Sequence, residues 1–187
     1  MKIAVCIKQV PDSEARLRVA ADRRWIDEED LRFVVNESDE YALEEALQIA
    51  EHTDGEVVVF SLGPERVREA LRKCLALGAS RAVHLADEAF AGGDAIATGR
   101  ALAAAIQNGG FDLVVTGSQS DDVGFGATGS ILAGHLDWPH AWRVMTGSRC
   151  SPFTPTEEWR QRGDSVRSIG RRPTGCQWSK RSAICLE

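Results

Sequence analysis

The stretch Thr116–Gly129, TGSQSDDVGFGATG, mixes glycines with hydroxyl, amide and carboxylate side chains, and that mixture suits the holding of a phosphate group. Gly117, Gly124, Gly126 and Gly129 let the backbone approach a ligand closely, while Ser118, Gln119, Ser120 and Thr128 bring hydrogen-bonding groups. Asp121 and Asp122 sit badly against phosphate and fit a helix cap or a sugar hydroxyl better. A flexible surface turn is the plain alternative, because glycine-rich loops are common. Within residues 1–142 no nucleophile or acid–base pair stands out. The cysteines are dispersed, and His135 and His140 flank Trp138-Pro139 without a carboxylate at suggestive spacing.

The elements around the loop say how it is held. FDLVV (Phe111–Val115) is a short apolar strand before it, and SILAGHL (Ser130–Leu136) has helical spacing after it. Strand, glycine-rich loop and helix start in that order present free N–H groups to negative charge. The same alternation runs through the chain. KIAVCIK (Lys2–Lys8) is a buried strand, with Cys6 a small core residue. Asp12–Val35 is polar and mixed, with LRVA and RRWID suited to a small β excursion. A helix opens at Asn36–Asp39, with Asn36 or Ser38 as N-cap and Ala42, Leu43, Ala46, Leu47 and Ala50 as its apolar stripe. GEVVVFSLG (Gly55–Gly63) is the second strand. Pro64 fits the first position of the next helix, and Gly78 fits its end. RAVHLAD (Arg81–Asp87), with His84 a residue of the sheet, is the third strand. Asp94–Asn108 is an Ala-rich helix, and Phe111–Val115 is the fourth strand.

Strands alternating with helices predict a doubly wound α/β fold, a mostly parallel sheet with helices on both faces. Such sheets bind ligands beyond the carboxyl ends of their strands, where strand order reverses. Lys8, Leu62-Gly63, Thr116-Gly117 and the Asn36–Asp39 cap can converge on one such crevice, which makes nucleotide binding the better reading of the loop.

Bulk properties narrow the rest. At 187 residues the chain suits one domain, and no apolar run reaches the length of a membrane span. The first residues reach charge too soon for a signal peptide, so a cytoplasmic location without membrane insertion is expected. Five Cys without a CxxC pair support neither a disulfide framework nor a zinc site. The net charge of −6 is uneven. Residues 143–187 hold nine Lys/Arg and four Asp/Glu, leaving thirteen of the 22 basic and twenty-four of the 28 acidic residues in 1–142. An acidic body argues against nucleic-acid binding there.

Four blocks, VCIKQV, NESDEYALEEAL (Asn36–Leu47), SLGPERVREALRKCLALGASRAVHL (Ser61–Leu85) and DLVVTGSQSDDVGFGATGSILAGHLDWPHA (Asp112–Ala141), together resemble the β subunit of electron transfer flavoprotein (ETF) over residues 1–142. The resemblance implies an adenine-nucleotide α-hydrolase-like domain that pairs with an ETF α subunit. It also implies FAD shared with that subunit, and a nucleotide held in this chain: AMP in ordinary members, a second FAD in electron-bifurcating ones. Such a protein carries electrons from flavin dehydrogenases to ETF-quinone oxidoreductase and is not a catalyst by itself; the flavin does the chemistry while the protein positions and tunes it. The family's nucleotide contacts fall on Cys6, on Asn36, Glu37, Ser38 and Asp39, on Leu62, and on Gly117, Gln119, Ser120, Asp121, Asp122, Val123, Gly124, Gly126, Ala127 and Thr128. Asn36-Glu37-Ser38 replaces the usual NPF or NPY-type turn, and Ser120, Val123 and Gly124 replace parts of the usual loop, which leaves AMP and FAD both open. The rival from another class is a stand-alone ATP-binding regulator similar to the universal stress proteins, which would form homodimers and need no α subunit.

From Arg143 onward no two-residue or 3.6-residue period persists, and an irregular basic tail is expected through Glu187. A disordered tail would carry less Trp and Cys than this, and Arg interleaved with Trp fits a partner or nucleic-acid peptide only weakly. We read the tail as translation out of frame, which yields Arg, Ser, Trp, Cys and Pro without periodicity and would impair docking on an α subunit. A family-like continuation in another frame of the gene is the expected result; its absence contradicts the reading.

Overall fold

The computed structural model describes residues 1–23, 25–144 and 182–186. Its elements are β1 (Lys2–Cys6), β2 (Gln9–Pro11), β3 (Phe33–Val35), α1 (Glu37–Thr53), β4 (Glu56–Leu62), α2 (Val67–Ala76), β5 (Arg81–Leu85), α3 (Ala95–Ile106), β6 (Leu113–Gly117), α4 (Thr128–Leu136), β7 (His140–Val144) and β8 (Ser182–Leu186), with one 3-10 turn at Glu88–Phe90. Six strands form one sheet in the order β5-β4-β1-β6-β8-β7, and every pairing in it is parallel. This is the doubly wound α/β architecture expected from the sequence.

Parallel strands must be joined by crossovers, and the crossover helices bury both faces of the sheet. Ile3, Val5, Val57, Val59, Leu113 and Val115 point to one face, where α1 (Ala42, Leu43, Ala46, Ala50) and α2 (Val67, Ala70, Leu71, Cys74) cover them. Ala4, Cys6, Val58, Phe60 and Val114 point to the other, under α3 (Leu102, Ala103, Ile106) and α4 (Leu132, Ala133, Leu136). The period of two within each strand assigns alternate residues to opposite layers. Phe60 and Phe111 meet edge to face, with ring centroids 5.5 Å apart, an arrangement worth about 0.5–1.5 kcal/mol beyond burial.

Chain order fixes where the sheet reverses. From β1 the chain builds outward to β4 and β5, then α3 carries it back across so that β6 pairs with the other side of β1. The switch in strand order therefore lies between β1 and β6, whose ends meet with Cys6 opposite Thr116.

Several boundaries differ from the sequence reading for local reasons. The first strand stops at Cys6, and Gln9–Pro11 forms a separate antiparallel pair with Phe33–Val35. The excursion at LRVA and RRWID reduces to a single antiparallel bridge, Val19 with Ile26. Pro64 opens a turn, not the helix: the Val67 N–H bonds to the Pro64 carbonyl, and α2 starts at Val67. Gly78 does close α2, its φ of +123° allowing the Gly78 and Ala79 N–H groups to reach Leu75 and Cys74 carbonyls. Asp94 caps α3 by accepting from the Ala97 N–H at 2.8 Å. Of the segment expected to be irregular from 143 onward, the last residues of β7 and the whole of β8 are strand, β8 lying parallel between β6 and β7. The rest of that segment, including most of the stretch read as out of frame, lies outside the described residues.

Candidate functional site

The crevice at the β1–β6 switch is organised by the first turn of α1. Asp39 reaches from that turn to both strand ends. One carboxylate oxygen accepts the Lys8 N–H at 2.8 Å, and the other accepts the Gly117 N–H at 3.0 Å. Lys8 is further tied by its carbonyl, which accepts the Asn36 N–H at 2.9 Å. The Asp39 side chain is almost wholly enclosed, the residue being 7% exposed. Burial pushes its pKa up to about 7, against the opposing pull of the backbone hydrogen bonds from Lys8 and Gly117 and the charge of Lys8.

Asn36 occupies the N-cap position, yet its side chain makes no capping bond to the helix. It is committed to the glycine-rich loop instead. Its Nδ2 donates to the Gln119 carbonyl at 2.9 Å and to Ser38 Oγ at 2.9 Å, while its Oδ1 accepts the Asp121 N–H at 2.9 Å. Ser38 Oγ donates to the same Gln119 carbonyl at 2.6 Å. These groups template the loop from Gly117 to Asp121, with their polar capacity spent on its backbone. Gly117 is required at its place: a Cβ there would run into Asp39 Oδ1 and the Ser38 side chain.

Beyond Asp121 the loop is held by Lys8, which the sequence reading placed at a strand end but not among the site residues. Its ammonium lies 2.6 Å from Asp122 Oδ1 and 3.3 Å from Ser120 Oγ. Burial raises the Asp122 carboxyl, but the hydrogen bonds from Lys8 and Ser120 outweigh it and hold the pKa below the usual value. Asp122 also accepts the Val123 N–H at 2.8 Å, and the Gly124 N–H returns to the Ser120 carbonyl at 2.9 Å. Asp122 is thus a partner for a cation and the head of a turn, and not the cap of a helix among the described residues. The one sequence signal for Lys8 was a cation ending an otherwise apolar strand.

The other expected residues fall around this frame. Cys6 is buried, its side chain on the α3–α4 face of the sheet. Leu62 is half-buried at the end of β4, and Glu37 is exposed at the start of α1. Val123 and Gly124 are exposed, while Gly126, Ala127 and Thr128 are half-buried where α4 begins. Gly124 and Gly126 take φ of +63° and +58°, a left-handed backbone that glycine adopts without strain. The N–H groups of Gly126, Ala127 and Thr128 have no hydrogen-bond partner among the described residues. Half-buried N–H groups without a partner at a helix start, continuous with a hydroxyl-bearing loop, fit a nucleotide phosphate. Cavities of about 450 and 350 Å³ open elsewhere, one beside Asp12, Arg16 and Asp27 and one beside Glu44, Gln48 and Leu77, and neither includes a residue of the loop.

The raised Asp39 pKa has a consequence for stability. The folded chain binds this proton more tightly than the unfolded chain, so the contribution of Asp39 is full below its ordinary value of 3.8 and declines as pH rises toward about 7. The decline is at most about 1.4 kcal/mol per pH unit. Asp39→Asn keeps one acceptor, loses the other and cannot titrate. In urea unfolding between pH 4 and 7 the wild-type advantage over Asp39→Asn should narrow as pH rises; a widening gap contradicts the assignment.

Residues 24–147 match the electron transfer flavoprotein domain. The chain is 46% identical over 143 residues to the electron transfer flavoprotein subunit beta of Methylophilus methylotrophus, an alignment covering 75% of this chain and 54% of that one. It is 44% identical over 142 residues to Protein FixA of Sinorhizobium fredii, covering 73% and 50%. It is 43% identical over 143 residues to the electron transfer flavoprotein subunit beta of Mycobacterium tuberculosis, covering 73% and 54%. The chain therefore spans about half the length of the relatives it matches. The match and the crevice overlap, since α1, the loop and α4 all lie within residues 24–147. On this evidence the chain belongs to the electron transfer flavoprotein family, in company with its β subunits.

Proposed function

We propose that this chain is the β subunit of an electron transfer flavoprotein, working as an αβ heterodimer. In that role it carries electrons from flavin dehydrogenases toward ETF-quinone oxidoreductase and holds an adenine nucleotide in its own α/β domain. The observation that carries the proposal is the hydrogen-bonded seat of Asn36, Ser38 and Asp39 on Gly117, Gln119 and Asp121. It ties the two segments named by the family resemblance into one crevice at the strand-order switch, where sheets of this kind bind ligands.

The chain's own residues do binding and positioning work. Asn36, Ser38 and Asp39 shape the loop, and the Gly126–Thr128 N–H groups receive phosphate. Electron transfer chemistry is supplied by the flavin that the heterodimer holds, and no step of it is assigned to a side chain of this chain. Among the described residues no helix is long and apolar enough to cross a membrane. The ATP-binding regulator is not favoured, since the matching family model and two of the three relatives carry the name electron transfer flavoprotein.

Mass spectrometry of ligand released from the purified, denatured chain tests the proposal. AMP is expected, or FAD for an electron-bifurcating member. ATP would support the regulator instead, and no adenine nucleotide would remove the crevice as a nucleotide site.

A further inference from the structure

Every polar atom of Lys8 is engaged, and each engagement bears on the loop. Its N–H is held by Asp39 and its carbonyl by the Asn36 N–H, so the side chain leaves β1 from a fixed point. Its ammonium then meets the loop at Ser120 and Asp122. The side chain is 43% exposed, and a pair that open to solvent adds little to folding. A cation anchored so firmly for so little stability invites a role toward a ligand.

The surrounding charge sharpens that role. Glu37, Asp121 and Asp122 are exposed around the crevice, and Asp39 is buried beneath it. Against these carboxyls, Lys8 is the one Lys or Arg joined to residues 117–128 by a hydrogen bond or ion pair among the described residues. A phosphate monoester brings a charge of about −1.5 to −2. Shared between Asp122 and that phosphate, one ammonium together with the loop N–H groups can balance such a ligand. Each further phosphate of a chain adds negative charge that meets only carboxylates.

We propose that Lys8 is a specificity-determining residue, an ammonium latched on Asp122 and Ser120 that a bound nucleotide's phosphate comes to share. It admits a nucleotide of low phosphate charge, such as a monophosphate or an esterified diphosphate, and leaves the crevice hostile to free di- and triphosphates. The proposal rests on reading the crevice as an adenine-nucleotide site.

Calorimetric titration of the full 187-residue chain, stripped of ligand, with adenosine, AMP, ADP and ATP at one ionic strength tests it. The wild type should bind AMP more tightly than adenosine, ADP or ATP. Lys8→Met should weaken AMP about ten- to a hundredfold, the range for losing a charged hydrogen bond, and weaken adenosine clearly less than AMP. Lys8→Arg should keep the preference for AMP, which separates lost charge from lost folding. Asp122→Asn, which frees the ammonium and removes a carboxylate, should improve ADP and ATP more than AMP. Unchanged AMP affinity in Lys8→Met, with the wild type binding AMP, overturns the role of Lys8 alone. A wild type that binds none of the four probes overturns the nucleotide reading and the proposal with it.

Discussion

A single buried carboxylate decides the shape of the crevice. Asp39 grips the N–H groups of Lys8 and Gly117, the residues at which the chain leaves β1 and finishes β6. Those strands pair in register up to Cys6 and Thr116, and just beyond that pair the Lys8 and Gly117 N–H groups turn to Asp39. A buried N–H without a partner costs about as much as a lost hydrogen bond, and an ionised carboxylate without partners costs more. Here each satisfies the other. The position of Asp39 in the first turn of α1 also sets its charge, once it ionises above about pH 7, against the positive end of the helix dipole.

The rest of the site follows from that anchor. Once α1 is seated on both strand ends, Asn36 and Ser38 lie where they can take the backbone of Gln119 and Asp121. The loop is then fixed at its first half by amide and hydroxyl groups and at its middle by the Lys8 ammonium. Its second half has N–H groups without a partner among the described residues, glycines in left-handed conformation and an exposed Phe125. A rigid first half and an unsatisfied second half is the division expected of a loop that is positioned by the fold and completed by a ligand.

Much of the fold was legible because its strands are apolar runs and its helices carry apolar stripes. Val57–Phe60 and Ala42, Leu43 and Ala46 are buried as those patterns require. The turn chemistry was less legible: Pro64 reads as a first helical position, yet the Val67, Arg68 and Glu69 N–H groups bond three residues back and the helix starts only at Val67. The pairing of Gln9–Pro11 with Phe33–Val35 has no local signal, since a proline-containing segment reads poorly as a strand. At the site, the structure brings together the Asn36–Asp39 and Gly117–Asp121 segments named from the sequence, through side-chain contacts that no local pattern announces. Asn36 bonds to residues 83 and 85 positions away, so its role as a loop brace, in place of a cap, exists only once the chain is folded. Lys8 was hidden for the same reason: its meaning lies in Asp122, 114 residues on.

Hydrogen–deuterium exchange of the full chain with and without saturating AMP tests most directly whether the crevice at the β1–β6 switch is the ligand site. Slowed exchange should concentrate at the amides of Gly126, Ala127 and Thr128, with the Lys8 and Gly117 amides already slow in the free chain because Asp39 holds them. Fast exchange at Lys8 and Gly117 in the free chain, or AMP protection centred on the Asp12–Arg32 segment and not on the loop, would contradict the central claim.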